Sequence, residues 1–235
     1  LGVAAAAAAP AVVQPGVGVP ELFFADRPLP PAAADAAAEL GAAGEWRVDP
    51  QAGVLYVWPP RGLGLAPLQL SALCEPIVTL EQSSYVTWQG FTMECVRGTA
   101  AVIKGGRGNL IAGCTIRNTG TDGVAVDGSG NGVVGCDIYN TGATGVRLQG
   151  GDRALLVAAG NYADNNHIHD IARGRQPEAA AIDLGGVGNR VTHNLIHGVP
   201  HSGIRYAGND HLIEYNELLQ TCLEAGADGA RSEEH

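Results

Sequence analysis

Three ionisable residues occupy matching positions inside short apolar segments: Arg147 in VRL, Asp183 in IDL and Arg205 in IRY. A guanidinium group neutralises a carboxylate and presents a planar fork of donors to it, as recognition of an acidic sugar requires. A carboxylate beside such groups could move a proton during bond cleavage. If the three segments stack as neighbouring strands, with Ala125 before them, Asp183 lies about 5 Å from each arginine.

The loops that precede these segments add Asp122, Glu178, His201 and Ser202. We predict Asp183 as the acid or base, assisted by His201, with Asp122 and the two arginines binding substrate. Glycoside hydrolysis needs two carboxylates about 5–9.5 Å apart, and Glu178 is the best local partner for Asp183, with Asp122 near the outer limit. The competing interpretation is a solvated ladder in which alternating charges only avoid repulsion between neighbouring strands.

All seven histidines follow residue 166, and four of them fall in NHIHD and HNLIH. His169 and His197 share an outward position with Tyr139, so they should be adjacent. Imidazoles at that spacing, with His167 and His193 nearby, could bind zinc or copper. We predict a stacked polar face and no metal site, because the sequence fixes no third ligand and no group to orient the imidazoles.

These residues must be positioned by a repeat that begins near residue 84. Gly-Asn recurs at 108–109, 130–131, 160–161 and 188–189, and slightly out of phase at 208–209. A Cys or Asn follows each turn, and an Ile or Leu lies two residues further on. These residues form two series: Cys114, Cys136, Asn166, Asn194, Asn216, and Ile116, Ile138, Ile168, Ile196, Leu218. The two longer steps hold insertions near 150–160 and 172–178.

Within each repeat the apolar residues alternate, which indicates strands. Short strands and glycine turns at a period near 22 predict an all-β, right-handed, single-stranded parallel β-helix of six or seven coils. Stacking would place each series in an inward ladder, where asparagines can hydrogen-bond one another. A leucine-rich repeat would need LxxLxL and a helix in each unit, and an immunoglobulin-like sandwich would not repeat in register.

We divide the chain into three parts. Residues 1–44 are an Ala/Pro-rich arm with a short strand at ELFF (21–24). Residues 45–82 form an N-terminal β-rich cap, which begins with a hairpin at 45–58. Residues 83–235 are the coils of the β-helix, truncated at the C-terminus, and an open last coil after about residue 220 predicts self-association.

Composition excludes several classes of function. The net charge of −10, with 14 basic residues, argues against a nucleic-acid partner. No apolar run of about 18 residues is present, so we expect no membrane span. Five cysteines without a CxxC predict neither a disulfide framework nor a zinc site.

The units NLIAGCTIRNTGTDGVAV, NGVVGCDIYNTGATGVRL and NRVTHNLIHGVPHSGIRY resemble right-handed parallel β-helix proteins of the pectin-lyase-like group. GEWRVDPQAGVLYVWPP, NYADNNHIHD and GNDHLIEYNELLQTCLE are similar to secreted relatives of glycoside hydrolases and polysaccharide lyases. The resemblance spans residues 45 to 225, implies an extracellular location, and places the ionic column on the strand that lines the substrate groove. Relatives carry an aspartate after CLE, but here Asp228 stands one place off.

This group hosts lyases, hydrolases, epimerases and non-catalytic binders, so the fold leaves the reaction open. We expect a carbohydrate-active protein that acts on a polysaccharide by hydrolysis or elimination. The alternative is a non-catalytic carbohydrate-binding or structural solenoid. Neither function needs a cofactor, although a lyase would use Ca²⁺ or a basic residue. Lys104 is the chain's one lysine, so an arginine would have to act as the base of a lyase.

Overall fold

The computed structural model describes the backbone of residues 3–6 and all atoms of residues 20–32, 40–49, 52–174 and 179–223. These residues form strands and turns without a helix. Accordingly, the described part of the chain offers no helix that could cross a bilayer.

Two small antiparallel sheets precede the coils. One has the order β1–β5–β4, from β1 (Val3–Ala6), β4 (Trp46–Asp49) and β5 (Val54–Val57). The other has the order β3–β2–β6, from β2 (Leu22–Phe24), β3 (Arg27–Pro28) and β6 (Leu68–Leu70). The hairpin predicted at 45–58 is the β4–β5 pair, which is held in antiparallel register.

Six coils follow within the described residues, and each contributes one strand to each of three parallel sheets. The first sheet holds β7 (Val78–Glu81), β10 (Ala101–Lys104), β13 (Val124–Val126), β16 (Val146–Leu148), β19 (Ala180–Leu184) and β22 (Ser202–Tyr206). The second holds β8 (Thr87–Gln89), β11 (Leu110–Ala112), β14 (Gly132–Val134), β17 (Tyr162–Asp164), β20 (Arg190–Thr192) and β23 (Leu212–Glu214). The third holds β9 (Thr92–Val96), β12 (Thr115–Thr119), β15 (Asp137–Thr141), β18 (His167–His169), β21 (Leu195–Val199) and β24 (Glu217–Thr221).

The core lies between the three sheets and is built from the predicted inward ladder. Ile116, Ile138, Ile168 and Ile196 are paired in register and fully buried. Burial of each such side chain contributes about 1.5–3 kcal/mol, so the apolar stack is a principal source of stability. The ladder ends at Leu218, which is 41% exposed on the last described coil. The parallel β-helix predicted from the sequence is therefore confirmed.

Buried asparagines form hydrogen bonds between neighbouring coils at two turns. At the turn between the second and third sheets, the Oδ1 atom of Asn194 accepts a hydrogen bond from the backbone N–H of Asn166 at 2.9 Å. At the turn between the first and second sheets, Asn161 accepts in the same way from Asn131 at 2.9 Å. The first stack was predicted, whereas the second was visible in the sequence only as the Gly-Asn marker. Each side chain satisfies a backbone group that burial would otherwise leave without a partner.

The two insertions both belong to the coil that links β16 to β19. One follows the C-terminal end of β16 and folds back through an antiparallel pair between Asp152 and Val157. The other leads into the N-terminal end of β19, and residues 175–178 within it lie outside the described part of the chain. One insertion therefore follows the C-terminal end of β16, and the other precedes the N-terminal end of its neighbour β19.

Candidate active site on the first sheet

Strand alternation and register bring the predicted ionic column together. In the strand register, Asp183 lies opposite Arg147 of β16 on one side and opposite Arg205 of β22 on the other. Its neighbours along β19, Ile182 and Leu184, are buried in the core, so Asp183 must project outward. Even so, its side chain is only 9% exposed, because a guanidinium group covers it from each side.

Both carboxylate oxygens of Asp183 accept hydrogen bonds. Arg147 donates from Nη1 to Oδ2 at 2.6 Å. Arg205 donates from Nε to Oδ1 at 3.0 Å and from Nη2 to Oδ2 at 3.1 Å. In this arrangement Asp183 is an ion-paired carboxylate whose oxygens are occupied, and proton transfer would require one arginine to move away from it.

Asp122 extends the column by one more charge. It lies in the turn before β13 and accepts hydrogen bonds from the Nε atom of Arg147 and the backbone N–H of Thr144, both at 3.1 Å. Arg147 thus bridges Asp122 and Asp183, which are separated along the stack as the sequence predicts. We call Asp122, Arg147, Asp183 and Arg205 the ionic ladder.

The ladder favours the charged form of Arg147. Burial acts to lower the pKa of Arg147, but the hydrogen bond and the charge of Asp122, together with the charge of Asp183, outweigh burial and raise it. The side chains of Arg147 and Arg205 are 36% and 37% exposed. Each arginine is therefore oriented by a carboxylate and still accessible to a ligand on the surface.

The remaining predicted site residues are less well defined. His201 lies in the turn that leads into β22, where its backbone carbonyl accepts a hydrogen bond from Cys222 at 2.9 Å. Its imidazole has no hydrogen-bond partner among the described residues. Glu178 and Asp228 lie outside those residues, so the pairing of Glu178 with Asp183 stays a prediction.

The histidines form a second polar cluster on the outer face of the third sheet. As predicted, Tyr139, His169 and His197 stack in one column, with ring centroids 4.8 and 4.9 Å apart. Burial and the neighbouring imidazoles lower the pKa of His197. Sequence reasoning missed Asp137, which lies beside His167 in the register. The signal was available, because the step of 30 residues that relates Ile138 to Ile168 also relates Asp137 to His167.

Comparisons with known proteins agree with this architecture. The family model described as right handed beta helix region matches residues 96–218, which is 123 of the 235 residues. The chain belongs to this family of right-handed β-helix proteins. No curated protein matches the sequence significantly.

A solved structure of a glycoside hydrolase is similar to the chain, with a TM-score of 0.61 and 16% sequence identity. The similarity covers 72% of this chain and 40% of the glycoside hydrolase. At this identity the likeness shows the fold alone, and the chain spans less than half of that protein.

Proposed function

We propose that the chain is a carbohydrate-active β-helix that holds a polysaccharide along the outer face of the first sheet and cleaves it by hydrolysis or elimination. The observation that carries the proposal is the ionic ladder. Two arginines, each fixed by a carboxylate and each more than one third exposed, lie on one face, on the coils on either side of the coil that carries Asp183. The fold similarity to a glycoside hydrolase supports the same class of substrate.

An insertion with exposed apolar side chains follows the strand that carries Arg147. The insertion after β16 exposes Leu155, Leu156 and Val157, which are 73%, 57% and 55% exposed. Apolar side chains of this kind can contact the C–H faces of sugar rings, while the guanidinium groups bind carboxylates or hydroxyls. A polysaccharide that reached from the ladder to this insertion would meet both kinds of surface.

Binding of a uronate unit would allow the ionic ladder to take part in catalysis. A uronate carboxylate that binds Arg147 or Arg205 competes with Asp183 for the same donors. An oxygen of Asp183 released in this way becomes available to move a proton, with His201 as the second group. Hydrolysis further needs a second carboxylate, for which Glu178 is the candidate. Elimination needs a base that removes the proton beside the uronate carboxylate, an arginine that neutralises this carboxylate, and a proton donor, such as His201, for the departing glycosidic oxygen.

A non-catalytic carbohydrate-binding role is the second candidate. It is favoured by the occupation of both Asp183 oxygens, which makes the carboxylate a support for two arginines. In this case the same residues would bind a polysaccharide without changing it.

The test is incubation of the folded protein with neutral and uronate-containing polysaccharides, with and without Ca²⁺, followed by mass spectrometry of the products. Products at the unsaturated mass indicate elimination, and hydrated products indicate hydrolysis. Loss of these products in Asp183→Asn, but not in the matched variant Asp127→Asn directly after strand β13, would support the catalytic role. Retention of full activity by Asp183→Asn would refute that role.

Absence of products, together with saturable binding that weakens in Arg147→Gln, would favour the non-catalytic role. Arg190→Gln is the control for charge. Arg190 lies on the second sheet, 5.2 Å from the ring centroid of Tyr162, and its replacement changes the net charge equally. No binding and no cleavage with any polysaccharide would contradict both versions.

A further inference from the structure

The histidine cluster on the third sheet brings three potential metal ligands to one point. The Oδ1 atom of Asp137 lies 2.9 Å from Nδ1 of His167 and 3.5 Å from Nε2 of His169. One ligand atom from each of the three residues falls within 4.8 Å of the other two. Register explains the convergence, because Asp137 and His167 are adjacent in one outward column and His169 lies two residues further along the same strand.

These distances match the spacing of ligands around a metal ion. With metal–ligand bonds of about 2.05 Å, neighbouring ligand atoms are about 2.9 Å apart in an octahedral site and about 3.3 Å apart in a tetrahedral one. The two distances from Asp137 fall close to these values.

Hydrogen bonding does not explain the position of the carboxylate. The Oδ1 atom of Asp137 is buried and makes no well-aligned hydrogen bond with any described residue, and its contact with Nδ1 of His167 at 2.9 Å is an ion pair only when that imidazole is protonated. A buried anionic oxygen that accepts no well-aligned hydrogen bond is unfavourable and rare in folded proteins. A cation held between this oxygen and the two imidazoles would satisfy it.

The outer nitrogens of both imidazoles are engaged in a way that orients the inner ones. His169 contacts the carboxylate of Asp170 through Nδ1 at 2.8 Å, which directs Nε2 toward Asp137. His167 contacts Nε2 of His197 through its own Nε2 at 2.8 Å, which leaves Nδ1 facing Asp137. A carboxylate or other polar group behind a metal-binding histidine is the usual support for such a site.

We propose that Asp137, His167 and His169 bind a divalent transition metal ion, with Asp170 and His197 as positioning residues. Two imidazoles and one carboxylate suit Zn²⁺ and its neighbours in the first transition row, whereas Ca²⁺ and Mg²⁺ favour sites made of oxygen ligands. The side chains of Asp137 and His167 are 45% and 40% exposed, so the ion would have access to solvent and an open position. Sequence reasoning disfavours a metal because it fixes no third ligand, and the register supplies that ligand in Asp137.

The experiment is calorimetric titration of the metal-free, untagged protein with ZnCl₂, with stoichiometry checked by elemental analysis. We expect one Zn²⁺ in this site for each chain. Asp137→Asn and His167→Gln should each weaken binding by about tenfold or more, and Asp170→Asn by about tenfold, as loss of an orienting carboxylate does. Asp170→Asn keeps the left-handed backbone at this position (φ 49°), which asparagine tolerates.

The matched control is His193→Asn, which removes an imidazole that is 58% exposed in the turn directly after β20, at a residue with φ 55°. It should change the affinity by less than about twofold, the usual effect of a distant independent site. Circular dichroism of each variant shows whether its fold is intact.

Binding in the double variant Asp137→Asn/His167→Gln that equals wild type would overturn the proposal, as would no binding at 100 µM Zn²⁺. Displacement of Zn²⁺ by an equal concentration of Ca²⁺ would overturn the assignment to transition metals. These outcomes do not depend on polysaccharide cleavage, so they test the site separately from the proposed function.

Discussion

Replacement of Asp183 by asparagine tests whether the ionic ladder is a physical unit. The change keeps the shape of the side chain but removes the negative charge between Arg147 and Arg205 and turns one acceptor into a donor. Hydrogen bonds to charged groups contribute about 1.5–3 kcal/mol, and removal of one partner from a fully buried ion pair costs about 3–5 kcal/mol. The arginine side chains are 36% and 37% exposed, so water can solvate them again after the change. We therefore expect Asp183→Asn to lower the free energy of unfolding by about 2–3 kcal/mol, below the buried limit.

The assay is urea unfolding followed by circular dichroism at pH 7, with the matched variant Asp127→Asn as the control. Asp127 is an exposed residue that directly follows strand β13 and has a hydrogen bond to the backbone N–H of Gly128 at 2.7 Å. Its replacement should change stability by less than about 0.5 kcal/mol, as is usual for surface positions. A loss in Asp183→Asn no larger than that of the control would show that the ladder adds nothing to stability, and would refute this reasoning.

Three further substitutions test the coils themselves, each by urea unfolding. Asn194→Ala removes five hydrogen bonds made by a side chain of a residue that is 1% exposed. The free energy of unfolding should therefore fall by about 3–4 kcal/mol, and a loss under about 1 kcal/mol would contradict a stabilising role of the asparagine stack. Gly186→Ala should lower the free energy of unfolding by at least about 2 kcal/mol, because φ is +87° and a Cβ atom would overlap the carbonyl oxygen of Gly150. Near-wild-type stability of this variant would show that the turn can relax. Burial acts to raise the pKa of Asp164, but hydrogen bonds from Thr192 and His193 outweigh it and lower the pKa. The ionised Asp164 carboxylate therefore stabilises the folded protein above the unfolded-state pKa of about 3.9, and this stabilisation is lost as pH falls through the lower folded-state pKa. Asp164→Asn should accordingly lower the free energy of unfolding by about 1 kcal/mol at pH 7, and by progressively less below pH 4. A cost that does not change between pH 7 and pH 3 would contradict that assignment.

The sequence predicts most of the fold because the repeat carries the register. Ile138 and Ile168 are separated by an insertion, yet their common spacing from a Gly-Asn turn identifies them as stacked neighbours. The same register places Asp183 between Arg147 and Arg205 before any coordinates are known. Where a residue belongs to the repeat, its neighbours in the adjacent coils follow directly.

Contacts that depend on side-chain conformation or on segments outside the repeat could not be predicted. Asp137 is a polar residue on an exposed strand face, and its approach to His169 depends on rotamers that no periodicity encodes. The contact between Arg173 and Glu21 joins an insertion to the N-terminal arm across 152 residues of sequence. A similar contact joins Arg117 to Asp26 at 2.9 Å, so the arm packs against the coils through charges that have no repeat to reveal them.

The measurement that tests the central claim most directly is the affinity of the folded protein for a uronate-containing polysaccharide, compared between wild type, Arg205→Gln and Arg190→Gln. If the polysaccharide lies on the ionic ladder, Arg205→Gln should weaken binding by about tenfold, the equivalent of about 1.4 kcal/mol, and Arg190→Gln should leave it unchanged. Equal affinity in all three proteins, or an equal loss in both variants, would contradict a binding site on the first sheet.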